Sequence, residues 1–155
     1  MGKLVHDGNT KVHWLPAVAV LAAPTAVEIT AGDDLTPQIP SDGVNLTNTR
    51  NNASISMLDE AFTPEQVGTF GAAITLKFTR DDATDAAWDL FTHGAAGFLL
   101  ISRFGAPIAA SEVEVYPAES HEPAPLATAE NEFQQFEVQF AVTGQPSIRA
   151  VVAAA

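Results

Sequence analysis

Cysteine is absent from the 155 residues, which excludes disulfides, thiolate nucleophiles and cysteine-held metals. Basic residues are scarce, with seven Lys and Arg against nineteen Asp and Glu, for a net charge of −12. Lys3, Lys11, Arg50, Lys77, Arg80, Arg103 and Arg149 are scattered and do not interleave with aromatics. A nucleic-acid groove needs such interleaving, and so much acid repels anionic membranes as well. The glycines give no G-x-G-x-x-G and the serines no G-x-S-x-G, so neither a phosphate cradle nor a nucleophile elbow is present. His6, His13, His93 and His121 occur in no H-x-x-H or H-x-H context, and the acid clusters Asp33-Asp34 and Asp81-Asp82-Asp85 lack the spacing of a calcium loop. No catalytic, cofactor or metal residues are expected. The apolar run Trp14 to Ala23 is too short to span a bilayer as a helix. Pro16 interrupts it and Asp7 stands where a signal peptide needs basic residues. It reads as a buried N-terminal strand and loop.

What is present is a core. The chain is 46% hydrophobic, unlike a disordered acidic tail, and its length suits a single domain spanning 1–155. Residues 1–11 are polar and read as a flexible arm. Val12 to Leu15 reads as a short strand stopped at Pro16. Val44 to Arg50 and Ala53 to Leu58 read as two strands, with Asn51-Asn52 as a hairpin turn between them. Ala73 to Thr79 alternates Ile74, Leu76 and Phe78 with Thr75, Lys77 and Thr79, the period of a half-buried strand. Thr84 to Thr92 reads as one helix, capped by Asp82 or Thr84, with Ala87, Leu90 and Phe91 on one face.

Gly97 to Phe104 is apolar on both faces at its start, so it reads as a central strand covered on both sides. Glu112 to Tyr116 alternates, with Val113 and Val115 inward and Glu112 and Glu114 outward. The stretch 117–130 reads as a loop. Phe136, Val138, Phe140 and Val142 alternate with Glu137, and Gly144-Gln145-Pro146 turns the chain into a closing hairpin with Ser147 to Ala153. These patterns predict a mainly β fold, a sandwich or barrel of about eight short strands flanked by one helix. Between them, 59–71 reads as a long connection that is unusually apolar because of Phe62, Val67 and Phe70. Such a loop either folds onto its own domain or docks on a neighbour.

The order of segments resembles the major tail tube proteins of long-tailed, siphovirus-type bacteriophages, in the short form of actinobacterial phages. The resemblance is carried by V-x-W-L-P-A (Val12 to Ala17), F-T-P-E-Q-V-G-T-F-G with I-T-L-K-F-T-R-D-D and A-W-D-L-F (Phe62 to Phe91), and G-F-L-L-I-S-R-F (Gly97 to Phe104). V-E-V-Y-P (Val113 to Pro117) and F-E-V-Q-F-A-V-T-G-Q-P (Phe136 to Pro146) complete it. These are packing and turn patterns with no catalytic signature.

The resemblance implies a non-enzymatic virion protein, assembled in the host cytoplasm, whose hexameric rings stack into a tube. Its partners would be further copies of itself and other tail proteins such as the tape measure and terminator, with no membrane and no cofactor. DNA would pass through without specific binding along an acidic wall, since duplex DNA carries one negative charge per roughly 1.7 Å. Glu112, Glu114 and Glu137 are the lumen candidates. Trp14, Phe62, Val67 and Phe70 are the subunit-contact candidates, with 59–71 as an assembly loop. Longer members carry a C-terminal immunoglobulin-like domain that has no counterpart in these residues. Three other readings compete. A type VI secretion-like tube protein shares the architecture. A monomeric secreted β-sandwich that binds a ligand predicts a leader and a monomer. An acidic enzyme predicts a pocket with a strongly perturbed titratable group.

Overall fold

A computed structural model describes Val5, residues 8–83 and residues 85–153. The strands are β1 (Lys11–Leu15), β2 (Asp33–Asp34), β3 (Val44–Ser54), β4 (Glu65–Thr79), β5 (Ala96–Ser102), β6 (Glu112–Ser120), β7 (Ala124–Pro125), β8 (Gln135–Val142) and β9 (Ser147–Val151). Two short helices, α1 (Ala26–Ala31) and α2 (Ala86–Leu90), and a 3₁₀ turn (Thr36–Gln38) complete the elements. All nine strands join one sheet in the order β2-β1-β5-β6-β8-β4-β3, with β7 on β8 and β9 on β6. The strand pairs are antiparallel. The fold is therefore mainly β. Most of the expected N-terminal arm, residues 1–4, 6 and 7, lies outside the described residues, and Lys11 already belongs to β1.

The sheet curls around its main core. Val12 and Trp14 of β1, Leu99 and Ile101 of β5, Tyr116 and Ala118 of β6, Phe136, Val138 and Phe140 of β8, and Ile74, Leu76 and Phe78 of β4 meet inside it. Ala87 of α2 and the following Phe91 join them, so the helix covers one side as its apolar face predicts. Trp14 and Phe91 meet edge to face at 5.1 Å, and Phe91 and Phe140 do the same at 5.1 Å, the arrangement that ring quadrupoles favour. A second core of Leu15, Leu100, Val113, Val115, Ala150, Val152 and Ile29 lies behind β5. Alternation along β5 sends Leu99 and Ile101 to one core and Leu100 to the other, so this strand is covered on both faces, as its sequence predicts.

The structure departs from the sequence patterns in several places. Asn51-Asn52 makes no hairpin turn, because β3 runs straight through it with a register shift between Arg50 and Asn52. That shift is a bulge, which absorbs the irregularity without reversing the chain. Ile55 to Leu58 then lies outside any strand. β6 continues through Pro117 to Ser120. The missing N–H is tolerated there because β6 changes neighbour at that point, from β9 at Val115 to β8 at Ala118.

The last two strands do not form a hairpin. After the turn at Gly144 to Pro146, β9 follows β8 along the same neighbour, β6. The helix 84–92 shortens to Ala86–Leu90, and Thr84 lies outside the described residues. Asp85 occupies the cap position without a capping hydrogen bond, and its Oδ2 pairs with the Arg80 guanidinium. One helix has no counterpart in the sequence patterns. α1 is fixed by a capping box in which the Thr25 hydroxyl accepts from the Glu28 N–H at 3.1 Å and the Glu28 carboxylate reaches back to the Thr25 N–H at 3.3 Å.

Candidate functional site: a projecting arm and an open sheet face

The expected loop 59–71 is half strand. β4 begins at Glu65 and is 15 residues long. It pairs with β8 only from Ala73 to Thr79. Before Ala73 its sole described neighbour is β3. The residues from Asn48 to Ser54 and from Glu65 to Ala72 therefore leave the sheet as a two-stranded arm, joined by the connection 55–64. Within the arm the Asn51 amide donates to the Thr69 hydroxyl at 3.2 Å, and the Asn52 amide to the Glu65 carboxylate at 3.3 Å. The Arg50 guanidinium lies over the Phe70 ring at 5.5 Å.

Isolated two-stranded ribbons are marginal in water, and this one carries an apolar end. Leu58 is 106% exposed, Val67 91% and Phe62 79%, with Ile55 and Met57 beside them. Covering each would contribute about 1.5–3 kcal/mol, and nothing in the described chain covers them. The arm's outer side is also the end of the sheet, because β3 is last in the strand order. Its eleven residues contain no Lys and no Pro. Apart from the bulge and the single charge of Arg50, it lacks the features by which edge strands resist pairing with another chain.

Three of the expected contact residues, Phe62, Val67 and Phe70, sit on this arm and are exposed. Trp14 does not join them. It is 4% exposed and packs in the main core against Phe91 and Phe140. The expectation of a docking role for Trp14 is corrected: its position on the inward face of β1 gives it no free surface.

The lumen candidates do not share a face. Glu114 stands opposite Ile101 and Tyr116 opposite Leu99, so Glu112 and Glu114 continue the face that lines the main core. Glu137 alternates with the buried Phe136 and Val138 and points the other way. Glu114 is also engaged. It accepts from the Tyr116 hydroxyl at 2.6 Å and forms an ion pair with Arg103. Burial and that hydrogen bond push the Tyr116 phenol above its ordinary range, and the bond to Glu114 raises Arg103. The reading of Glu114 as an outward-facing acid is thereby revised, because β6 buries side chains on both faces.

Glu137 lies on a second candidate surface, the polar side of β4 and β8. Thr75, Lys77 and Thr79 of β4 face Gln139, Glu137 and Gln135 of β8 in direct cross-strand register. On this face Lys77 meets two acids, Glu137 in cross-strand register and Asp42 at 3.5 Å, so it is polar and weakly acidic. Other acids cluster in the short strand β2 (Asp33–Asp34) and in the connections at Asp59-Glu60, Asp81-Asp82 and Glu130 to Glu132.

Sequence reasoning gave no sign of the Arg103–Glu114–Tyr116 network. Nor did it show Arg80 stacked over Trp88 at 4.0 Å, since both depend on how consecutive elements, β5 with β6 and β4 with α2, pack side by side. His13 lies 3.9 Å from Asp34. Burial pushes its imidazole pKa down, against the pull of the Asp34 carboxylate and with a smaller push from Lys11. Among the described residues no three His, Asp or Glu side chains are placed to hold a metal ion, and no helix is long and apolar enough to cross a membrane.

A family model described as "Phage tail tube protein" matches residues 1–155. No curated protein matches the chain. Among solved structures, a chain from "Cryo-EM structure of the anti-feeding prophage (AFP) baseplate, 6-fold symmetrised" is similar to this one at a TM-score of 0.61. The identity is 10%, over 95% of this chain and 96% of that one, which is a likeness of fold.

Proposed function

The chain belongs to the phage tail tube protein family, and we propose that it is the repeating wall subunit of that tube. The family is structural, not enzymatic, and its place is the virion tail, in assembly with other tail components. The finer reading is that copies form rings, that the rings stack, and that DNA leaves through the bore. The tape measure and terminator would be its neighbours, and assembly would occur in the host cytoplasm. The fold neighbour belongs to a baseplate described as 6-fold symmetrised, which supports a hexameric ring.

One observation carries this reading: the β3–β4 arm is incomplete by itself. It exposes an unpaired edge and an apolar tip, and further copies of the chain supply both a strand partner and a cover. Pairing across subunits removes the edge as closure of a barrel does.

For the bore, the polar side of β4 and β8 is the better wall, with Glu137 the one lumen candidate placed on it. Glu112 and Glu114 lie on the opposite face. A hydroxyl- and amide-lined face whose one cation, Lys77, is already met by Asp42 and Glu137 gives a polyanion nothing to bind.

The test is electron microscopy of the concentrated, purified chain. Rings or hollow tubes are expected. Featureless monomers at every concentration overturn the proposal and favour a monomeric binding module.

A further inference from the structure

We propose that the tip of the arm docks on a second copy of this chain, against the face formed by the β5–β6 connection and β9. This deepens the tube-subunit reading and rests on it. The tip combines exposed Ile55, Leu58, Phe62 and Val67 with Asp59, Glu60 and Glu65. No Lys or Arg lies between Ile55 and Val67. Its receiver must offer apolar surface together with a cation, because a chain of net charge −12 repels three further acids over most of its area.

The face of the β5–β6 connection and β9 meets both conditions. Phe104 and Ile108 of the β5–β6 connection are exposed, as are Ile148 and Val151 of β9. Phe104 and Ile148 border a notch of about 70 Å³ that is also lined by Glu112 and by Arg103 with its partner Glu114, so Arg149 is the cation left to receive the tip's acids. Arg149 follows Ile148 in β9 and is exposed. It takes part in no ion pair among the described residues, whereas Lys77, Arg80 and Arg103 are each held by a carboxylate. A larger groove of about 460 Å³ lies at the base of the arm between 68–72 and 142–146, but its lining has no charged side chain. The tip's acids would be left uncompensated there.

The absence of cysteine makes the test direct. One preparation carries Leu58→Cys and another carries Phe104→Cys. The two are mixed, assembled and treated with a short bis-maleimide. A cross-linked pair formed only when both variants are present is expected, because the cysteines sit on different copies. Val27→Cys, exposed on α1, is the comparison partner. Tubes in which Leu58→Cys links to Phe104→Cys no better than to Val27→Cys overturn the docking and leave the tube reading standing. Failure of the unmodified chain to form any ring or tube overturns both. A second measurement covers the charge. Arg149→Glu should raise the concentration needed for assembly several-fold, and Asp59→Arg with Glu60→Arg should restore it. A double variant no better than Arg149→Glu alone contradicts the pairing.

Discussion

Gly97 shows how closely the core constrains single residues. A Cβ placed there would lie 2.6 Å from Cζ2 of Trp14 and 2.9 Å from the Leu15 carbonyl. Neither the indole, wedged between Phe91 and Phe140, nor the backbone can yield cheaply. Gly97→Ala should cost about 1–3 kcal/mol by overpacking, read as a lower denaturant midpoint with unchanged slope. Glu114 is the second sensitive position. Glu114→Ala leaves the fully buried Tyr116 hydroxyl without its acceptor and should cost about 1–3 kcal/mol. The half-exposed Arg103 adds little to that loss.

His13 makes a prediction in pH. Its folded pKa is lowered, chiefly by burial, so the unfolded chain binds this proton more readily. The stability linked to His13 is therefore present above the unfolded pKa near 6.5 and is lost as pH falls below it. His13→Gln should flatten the decline in stability below about pH 6.5. A decline identical to that of the unmodified chain would show that His13 contributes nothing to it.

At the scale of elements, what could be read from the sequence was what alternation alone decides. β1, the inner half of β4, β5 and the start of β8 follow apolar periodicity, and their cores were legible residue by residue. The failures share a cause. Gly, Pro and Asn punctuate a chain only where its hydrogen bonds have no other destination. Pro117 survives inside β6 because the sheet exchanges neighbours beside it, and Asn51-Asn52 survives inside β3 as a bulge. The outer half of β4 was invisible for a different reason. Glu65 to Gly71 faces solvent on both sides, so no burial pattern marks it as strand.

The candidate site was legible in part. Phe62, Val67 and Phe70 were conspicuous as apolar residues without periodicity, whereas Trp14 was misplaced because an aromatic beside a proline reads equally well as core or contact. The arm itself makes a prediction. Phe62 and Phe70 support no core, so Phe62→Asp and Phe70→Asp should leave unfolding free energy within about 0.5 kcal/mol of the unmodified chain while abolishing or strongly weakening polymerisation. Equal polymerisation of the variants would remove the docking role of the arm.

For the whole molecule, the net charge is −12, with acids gathered at Asp59-Glu60 on the arm tip and at Asp81-Asp82 and Glu130 to Glu132. Copies of the chain should therefore repel one another at long range, and burial of the apolar tip and open edge is the attraction expected at contact. Salt separates the two effects. Raising ionic strength from about 0.01 M to 0.15 M shortens the screening length from about 30 Å to 8 Å, so assembly should need a lower protein concentration in the higher salt. A threshold that rises with salt would mean that attraction between charges, not burial of the arm, holds the copies together.

The most direct measurement is sedimentation velocity of the unmodified chain across a concentration series, beside Phe62→Asp. The unmodified chain should pass from the single-chain mass to large multiples of it, while Phe62→Asp stays at the single-chain mass throughout. An unmodified chain that remains a single copy at every concentration would contradict the account.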